Sequence, residues 1–305
     1  MTAANGRTGT VAAVLHVLRA GLLTTVQDRG RPGHAHLGVP RSGALDAPAL
    51  ALANRLVGNP PHAAGLETTV TGCAVRASRP VVAAVTGAAC AVRVDGRPVA
   101  WGAPVRVPQG SVLEVGAAAR GLRSYLAVAG GVAVAPVLGS RSTDLLSGLG
   151  PPPVADGSDL PVGAPIGPSA AADPQPYGAA GPRPGGELVL PLTPGPRDDW
   201  FTAGALTLLR TAYWTVSPAS NRIGLRTLGP ALTRVHDAEL PSEGMVLGAV
   251  QVPPDGRPVV FLADHPTTGG YPVIGVVPEA SLPAAAQSPP GTRIRFVPLR
   301  ASRVS

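Results

Sequence analysis

"PVVAAVTGAACAVRVDGRPV", residues 80–99, is a run of valine and alanine that ends on an Asp-Gly pair at residues 95 and 96. Asp-Gly suits the two left-handed positions of a tight hairpin, so the run reads as a strand that reverses onto its neighbour. The same pattern recurs on either side in "LETTVTG" (66–72), "SVLEVG" (111–116) and "RSYLAVAGGV" (123–132). Short apolar runs closed by turn residues predict a β-meander or barrel, and a mainly β fold with few helices.

Upstream, "LHVLRAGLLTTVQD" (15–28) reads as strand, break at Gly21, and strand. "RGRPGHAHLGVPRSG" (29–43) carries too much Gly and Pro for either regular element and is a long loop, a place where function concentrates. "DAPALALANRLVGNP" (46–60) then predicts a helix over 46–58. Asp46 is its N-cap, Pro48 suits the first turn, Leu45 is placed to staple onto Leu50, and Gly58 and Pro60 end it. Asn54, on a mostly apolar helix, needs hydrogen-bond partners.

The chain has 305 residues, 45% hydrophobic and 14% charged, with 39 Gly, 36 Pro and 3% aromatics. That composition predicts a globular protein with an aliphatic core. Residues 150–186, dominated by Pro, Gly and Ala, mark a shift. The expected organisation is an N-terminal β-rich domain (1–150), a Pro/Gly-rich crossing segment (151–186) and a C-terminal β-barrel-like domain (187–305).

All 25 basic residues are Arg and the net charge is +7. Without Lys there is no P-loop lysine, no Schiff base and no attachment point for biotin. The Arg are scattered and not interleaved with aromatics, which argues against nucleic acid and for individual anion-binding forks. Cys73 and Cys90 lack metal or disulfide spacing and read as buried thiols. His34 and His36 have no further ligands nearby, so no metal site is expected. His16 and Arg19 interrupt the apolar start, and no uninterrupted run reaches membrane-spanning length; the expectation is a cytoplasmic protein without membrane or nucleic-acid partners.

Polar clusters follow five apolar runs: "TTVQDRGRPG" (24–33), "VPRSGALD" (39–46), "LGSRSTDL" (138–145), "SNRIGLR" (220–226), and "SEGMVLGAVQVPPDG" (242–256) with "LADHPTTGGYP" (262–272). Each alone can be read as turn chemistry, with Gln27 and Asp28 closing a turn, Arg141 and Asp144 forming a surface ion pair and Asn221 capping a bend. Together they form one pocket if the strand ends share a rim.

The stretches 21–60, 125–145, 220–230 and 239–275 resemble, in the same order, the allophanate hydrolase subunit 2 family, with its biotin-dependent carboxyltransferase-like members. The resemblance covers most of the chain, from about Leu15 to Phe296, and is closest to the branch that supplies the C component of 5-oxoprolinase. It implies a cyclophilin-like β-barrel with a second β-rich domain, and action with two partners, an allophanate hydrolase subunit 1-like B component and an A component. Their joint reaction would be ATP-dependent opening of the 5-oxoproline lactam to L-glutamate, this chain being inactive alone. A urea or amide carboxyltransferase half-site using biotin on a partner carrier is the alternative. A third reading is a regulatory antagonist binding a subunit 1-type kinase inhibitor. His265 and Pro266 depart from the Arg-Gln common in relatives.

No Ser has an evident base and no nucleophile elbow is present, so positioning and electrostatics are the expected means of catalysis. The expected catalytic set is Asp28, Arg31, Arg141, Asp144, Glu243 and Asp264, with Arg gripping carboxylate or phosphate and acids orienting water or an amide N–H. Gln27, Ser42, Asn54, Ser142, Asn221, Arg222, Gln251, Thr267, Thr268, Gly269, Gly270 and Tyr271 are the expected substrate contacts. In the last loop, Gly269 and Gly270 leave backbone N–H groups open to an anion.

Overall fold

Strand β5 (Val81–Val94) is buried on both faces between Ala83 and Cys90. Successive strand residues point to opposite faces, and here Ala83 and Val85 join one apolar cluster while Ala84 joins another with Ala53, Leu56 and Val57 of a helix. The helix lies close because the residues beneath it are small, and Thr86 donates its hydroxyl to Ala49 O at 2.7 Å. The alanines of the opening run therefore accommodate a helix.

The computed structural model describes residues 13–169, 182, 186–236, 238 and 240–299. Residues 1–12 of the opening stretch lie outside the described residues, as do 170–181 and 183–185 of the crossing segment.

In chain order the first half contains β1 (Val14–Arg19), β2 (Leu23–Gln27), α1 (Ala47–Leu56), β3 (Gly65–Thr69), β4 (Cys73–Ala77), β5, β6 (Arg97–Val99), β7 (Val105–Val107), β8 (Val112–Val128) and β9 (Asp159–Pro161). These nine strands form one sheet, with β2-β3-β8-β4-β1-β9 in line and β5 pairing β6, β7 and β8. Asp95 and Gly96 take φ of 49° and 75°, and Val94 faces Arg97 across the hairpin, as the Asp-Gly signal predicts. The crossing segment is not wholly unpaired, because β9 lies antiparallel to β1.

The second half contains β10 (Glu187–Pro194), α2 (Ala203–Thr211), β11 (Trp214–Val216), β12 (Gly224–Leu228), β13 (Glu243–Gly244), β14 (Ala249–Gln251), β15 (Val259–Phe261), β16 (Thr268–Gly269), β17 (Val273–Val276), α3 (Leu282–Ala286) and β18 (Arg293–Pro298). Seven of these strands close a barrel in the order β10-β17-β14-β15-β12-β11-β18. Alternation in β10 sends Leu188, Leu190 and Leu192 into its core with Trp214 and Phe296, whose rings meet edge to face at 5.6 Å. The protein is thus mainly β. No helix among the described residues is long and apolar enough to cross a membrane. Cys73 and Cys90 are buried free thiols, and burial pushes the Cys73 thiol up to about 12.

Asp46 caps α1 as read from sequence, accepting from Ala49 N at 3.1 Å. The staple differs. Leu45 belongs to the barrel core and Leu50 to a small cluster with Ala49 and Tyr125. Leu45 N donates to Glu67 and Asp46 N to Tyr125, which anchors the start of α1 to the sheet while the Leu45 side chain points into the barrel. The first half of the chain therefore contributes to the core of the second.

Candidate functional site

The loop after β2 is held by Asp28. Its Oδ1 accepts from Gly30 N at 2.7 Å and from the Ser140 and Ser142 hydroxyls at 2.6 Å each, and its Oδ2 accepts from Arg141 N at 2.6 Å. Arg31, also buried, donates to Ser142 O and lies 3.8 Å from the Asp144 carboxylate. Asp144 accepts from Leu146 N and from Ser147 N and Oγ. Gln27 donates to Thr25 Oγ1 and Thr143 O. Loops 27–31 and 140–144 are thereby locked together.

Asp264 carries the lock across to the barrel. Its carboxylate accepts from Ser42 Oγ at 2.8 Å, Leu145 N at 3.2 Å, and Arg222 Nε and Nη2 at 2.9 and 3.0 Å. Arg222, with 0% exposure, also donates to Gly43 O at 2.6 Å and to Glu67 of β3. Glu67 accepts from Tyr125 Oη at 2.8 Å and lies 3.7 Å from Arg123. Two guanidinium groups thus face two carboxylates, the balance a buried charge cluster requires. Gln287, next to α3, adds a neutral link, donating to Asp46 Oδ2 and Arg123 O and accepting from the N–H groups of Leu122 and Arg123.

Burial alone would raise the Glu67 carboxyl, but Arg222 and Arg123 overcome it and hold Glu67 below the usual range. The same pairing works on Arg222, where burial disfavours the charge and Glu67 and Asp264 more than restore it. A depressed carboxyl stabilises the fold above its unfolded value, 4.5, and that stability is lost as pH falls through the lower folded value. Asp46, raised chiefly by burial, acts in the opposite direction. Glu67→Gln is therefore expected to weaken the protein at pH 7 and to flatten the fall of its urea midpoint below about pH 4.5. An unchanged acid limb in the variant would refute this assignment.

Above this network opens a cleft of ≈ 660 Å³. Its floor and one rim come from Asp28, Arg29, Arg41 and Ser42, its wall from Leu45, Leu247, Leu262, Ala263 and Leu282, and its far rim from Glu279. Ser42, buried, sits at φ 54°, a left-handed conformation unusual outside glycine. Such positions persist where the surroundings over-determine them, often at functional sites. Here Asp264 and Thr143 O hold its hydroxyl.

The other four sequence clusters therefore meet around Asp264 of the fifth, through Gln27, Asp28, Arg31, Ser42, Ser142, Asp144 and Arg222. Seven of the remaining expected residues, Glu243, Gln251 and Thr267 to Tyr271, gather at the barrel's β13–β16 ladder. Glu243 is opposite Gly269 and pairs with Arg197, while Gln251 donates to Tyr271 O at 3.1 Å. A Cβ on Gly269 would meet the Gln251 amide at 2.7 Å, so that glycine makes room for a side chain. Thr268 lies in the ladder, Met245 N donates to Thr267 O, Gly270 lies against Leu240 O, and the Arg234 guanidinium stands 6.0 Å from the Tyr271 ring.

Three expected residues have local partners. Asn54 donates to Ala63 O and accepts from Asn59, Asn221 accepts from Ile223 N and Gly224 N, and Arg141 Nε donates to Val134 O. Asn221 thus caps a bend, and Arg31, not Arg141, faces Asp144. His34 precedes a 3₁₀ turn (Ala35–Leu37) and His36 lies within it, and no group of three or more metal-ligating side chains occurs among the described residues.

Glu67, Arg123, Tyr125, Gln287, Arg29 and Glu279 escaped the sequence reading. A lone acid inside the short strand "GLETT" was the available signal for Glu67, since a buried charge requires a partner. At His265 burial lowers the pKa; since Pro266 O can only accept, Nδ1 carries the proton and Nε2 the lone pair.

Residues 37–298 match the family model of the carboxyltransferase domain, subdomains A and B. The C component of Escherichia coli 5-oxoprolinase is 40% identical over 287 residues, covering 93% of this chain and 91% of that protein. The crystal structure of TTHA0988 superposes with a TM-score of 0.82 at 37% identity, covering 96% of this chain and 56% of that one. Kluyveromyces lactis urea carboxylase superposes with a TM-score of 0.86 at 29% identity, again over 96% of this chain but only 28% of its own length. The chain thus spans nearly all of the first of these relatives and a part of the other two.

Proposed function

The chain belongs to the carboxyltransferase domain family, and on that footing we propose that it is the C component of an ATP-dependent 5-oxoprolinase, opening 5-oxo-L-proline to L-glutamate in the cytoplasm with its A and B components. The observation carrying this reading is the 40% identity that runs through nearly the full length of both chains. TTHA0988, in which the matched part is 56% of a longer polypeptide, supports a partner beside this chain.

Hydrolysing an unstrained lactam requires a held substrate, a placed water and donors for the developing oxyanion. In this reading the cleft holds the substrate, with Asp28 and Ser42 at its floor. Arg31, Asp144, Arg222 and Asp264 act as positioning residues beneath it, since their polar atoms are turned to one another. Arg141, Glu243, Gln251 and Thr267 to Tyr271 are groups brought to substrate or partner on assembly. The chain has no P-loop lysine, and the Gly30 N–H is already donated to Asp28. ATP binding is accordingly assigned to the partners. The test is reconstitution, with glutamate expected from 5-oxoproline only when all three components and ATP are present; no release from the full mixture would defeat it.

The likeness to urea carboxylase favours a second reading, transfer of a carboxyl group to an amide or urea nitrogen. There Arg29, Arg41 and the apolar wall would hold the ring of a biotin carried on another protein. Biotin supplies the carboxyl group when bound. Activity dependent on a biotinylated carrier, and not on the A component, would favour it.

A further inference from the structure

The cleft is lined by four ionisable side chains, Asp28, Arg29, Arg41 and Glu279. Asp28 is spent on hydroxyls and backbone N–H groups. Across the opening, Arg41 of the first half meets Glu279 of the second at 3.0 Å, their side chains 41% and 67% exposed. Arg29 is exposed and lacks an ion-pair partner among the described residues. The rim therefore presents two guanidinium groups against one carboxylate, and that carboxylate sits on a short exposed 3₁₀ turn, Glu279–Ser281.

We infer that Arg41 is the residue that receives the carboxylate of a small acidic substrate, that Arg29 assists it, and that Glu279 is a resident carboxylate which the substrate displaces. A guanidinium fork matches a carboxylate in shape and charge. Glu279 shows that Arg41 is oriented to accept one. The exchange is easy because an exposed ion pair contributes about 0–1 kcal/mol. The wall formed by Leu45, Leu247, Leu262 and Leu282 would take the methylene side of a small ring. This rests on the reading of the cleft as a substrate site and adds the chemical class that it selects, an acid in preference to a neutral lactam.

Isothermal titration of the purified full chain with 5-oxoproline, and with 2-pyrrolidinone, the same lactam without its carboxylate, tests it. The acid is expected to bind about tenfold or more tightly than the neutral lactam, as a charge-assisted contact implies. Arg41→Ala should erase that preference, and Glu279→Gln should tighten the acid by about two- to fivefold. Equal binding of the two lactams, or affinities indifferent to both variants, would overturn the inference. If the isolated chain binds neither lactam, the same variants in the reconstituted complex must raise and lower KM for 5-oxoproline respectively; unchanged KM, or no binding in either setting, also overturns it. Turnover indifferent to Arg41 would leave the 5-oxoprolinase reading standing alone. Acid preference governed by Arg41 in a complex that never releases glutamate would do the reverse.

Discussion

Arg222→Met is expected to lower the free energy of unfolding by about 3–5 kcal/mol, the usual cost of removing one partner from a buried ion pair. The side chain has 0% exposure and holds Glu67, Asp264 and Gly43 O together, so methionine leaves two carboxylates in a dry junction without their counter-charge. Both acids sit among groups already committed elsewhere, Glu67 to Leu45 N and Tyr125, Asp264 to Ser42 and Leu145 N. Urea unfolding at pH 7 measures the loss. Replacing Arg222, Arg123, Glu67 and Asp264 together by apolar residues of similar size should recover much of it, because no charge of the cluster then remains unpaired. A single-variant loss under about 1 kcal/mol would show that water reaches the junction and that the network is not buried as described.

Gly30→Ala is the second large effect, placed between the cleft-lining residues Arg29 and Pro32. Gly30 has φ 78°, and a Cβ there would stand 2.4 Å from Arg41 O and 2.5 Å from Ser42 O. The left-handed backbone costs an alanine about 1–2 kcal/mol and the overlap about 1–3 kcal/mol more. The overlap falls on backbone atoms that no rotamer change can move, so segments 28–31 and 41–43 must separate. Arg31 N donates to Arg41 O at 2.7 Å across this contact. The expected result is a stability loss of about 2–5 kcal/mol, with loss of substrate binding in the cleft. Gly33→Ala separates the two contributions: Gly33 has φ 95° but nothing within 4 Å of the added carbon, so only the conformational cost remains. Equal losses at both positions would refute the close approach as the cause.

Much of the fold was legible. The Asp-Gly turn at 95–96, the strand break at Gly21 and the Asp46 cap are each set by residues within a few positions of one another. The polar clusters were legible as clusters, since Asp28, Ser142, Arg222 and Asp264 all sit at the ends of apolar runs. Their roles were less so. Arg222 looked like a fork open to an anion, and the structure gives each of its three nitrogens an internal partner. Leu45 looked like a staple on its own helix, and its side chain lies in the barrel core. Glu67 drew no attention, yet it is the acid on which the junction turns.

The amino-acid sequence by itself determined that this protein is mainly β, where its strands turn, where its first helix is capped, and that Arg must do whatever Lys does elsewhere. Tertiary structure alone decided which charges neutralise one another and which remain at the cleft. Turn and cap chemistry acts over a few bonds, so neighbouring residues suffice to specify it. The pairing of Arg222 with Glu67 spans 155 positions and that of Ser42 with Asp264 spans 222. Such pairs are set by how two cores pack, and the same packing leaves Arg29, Arg41 and Glu279 at the opening.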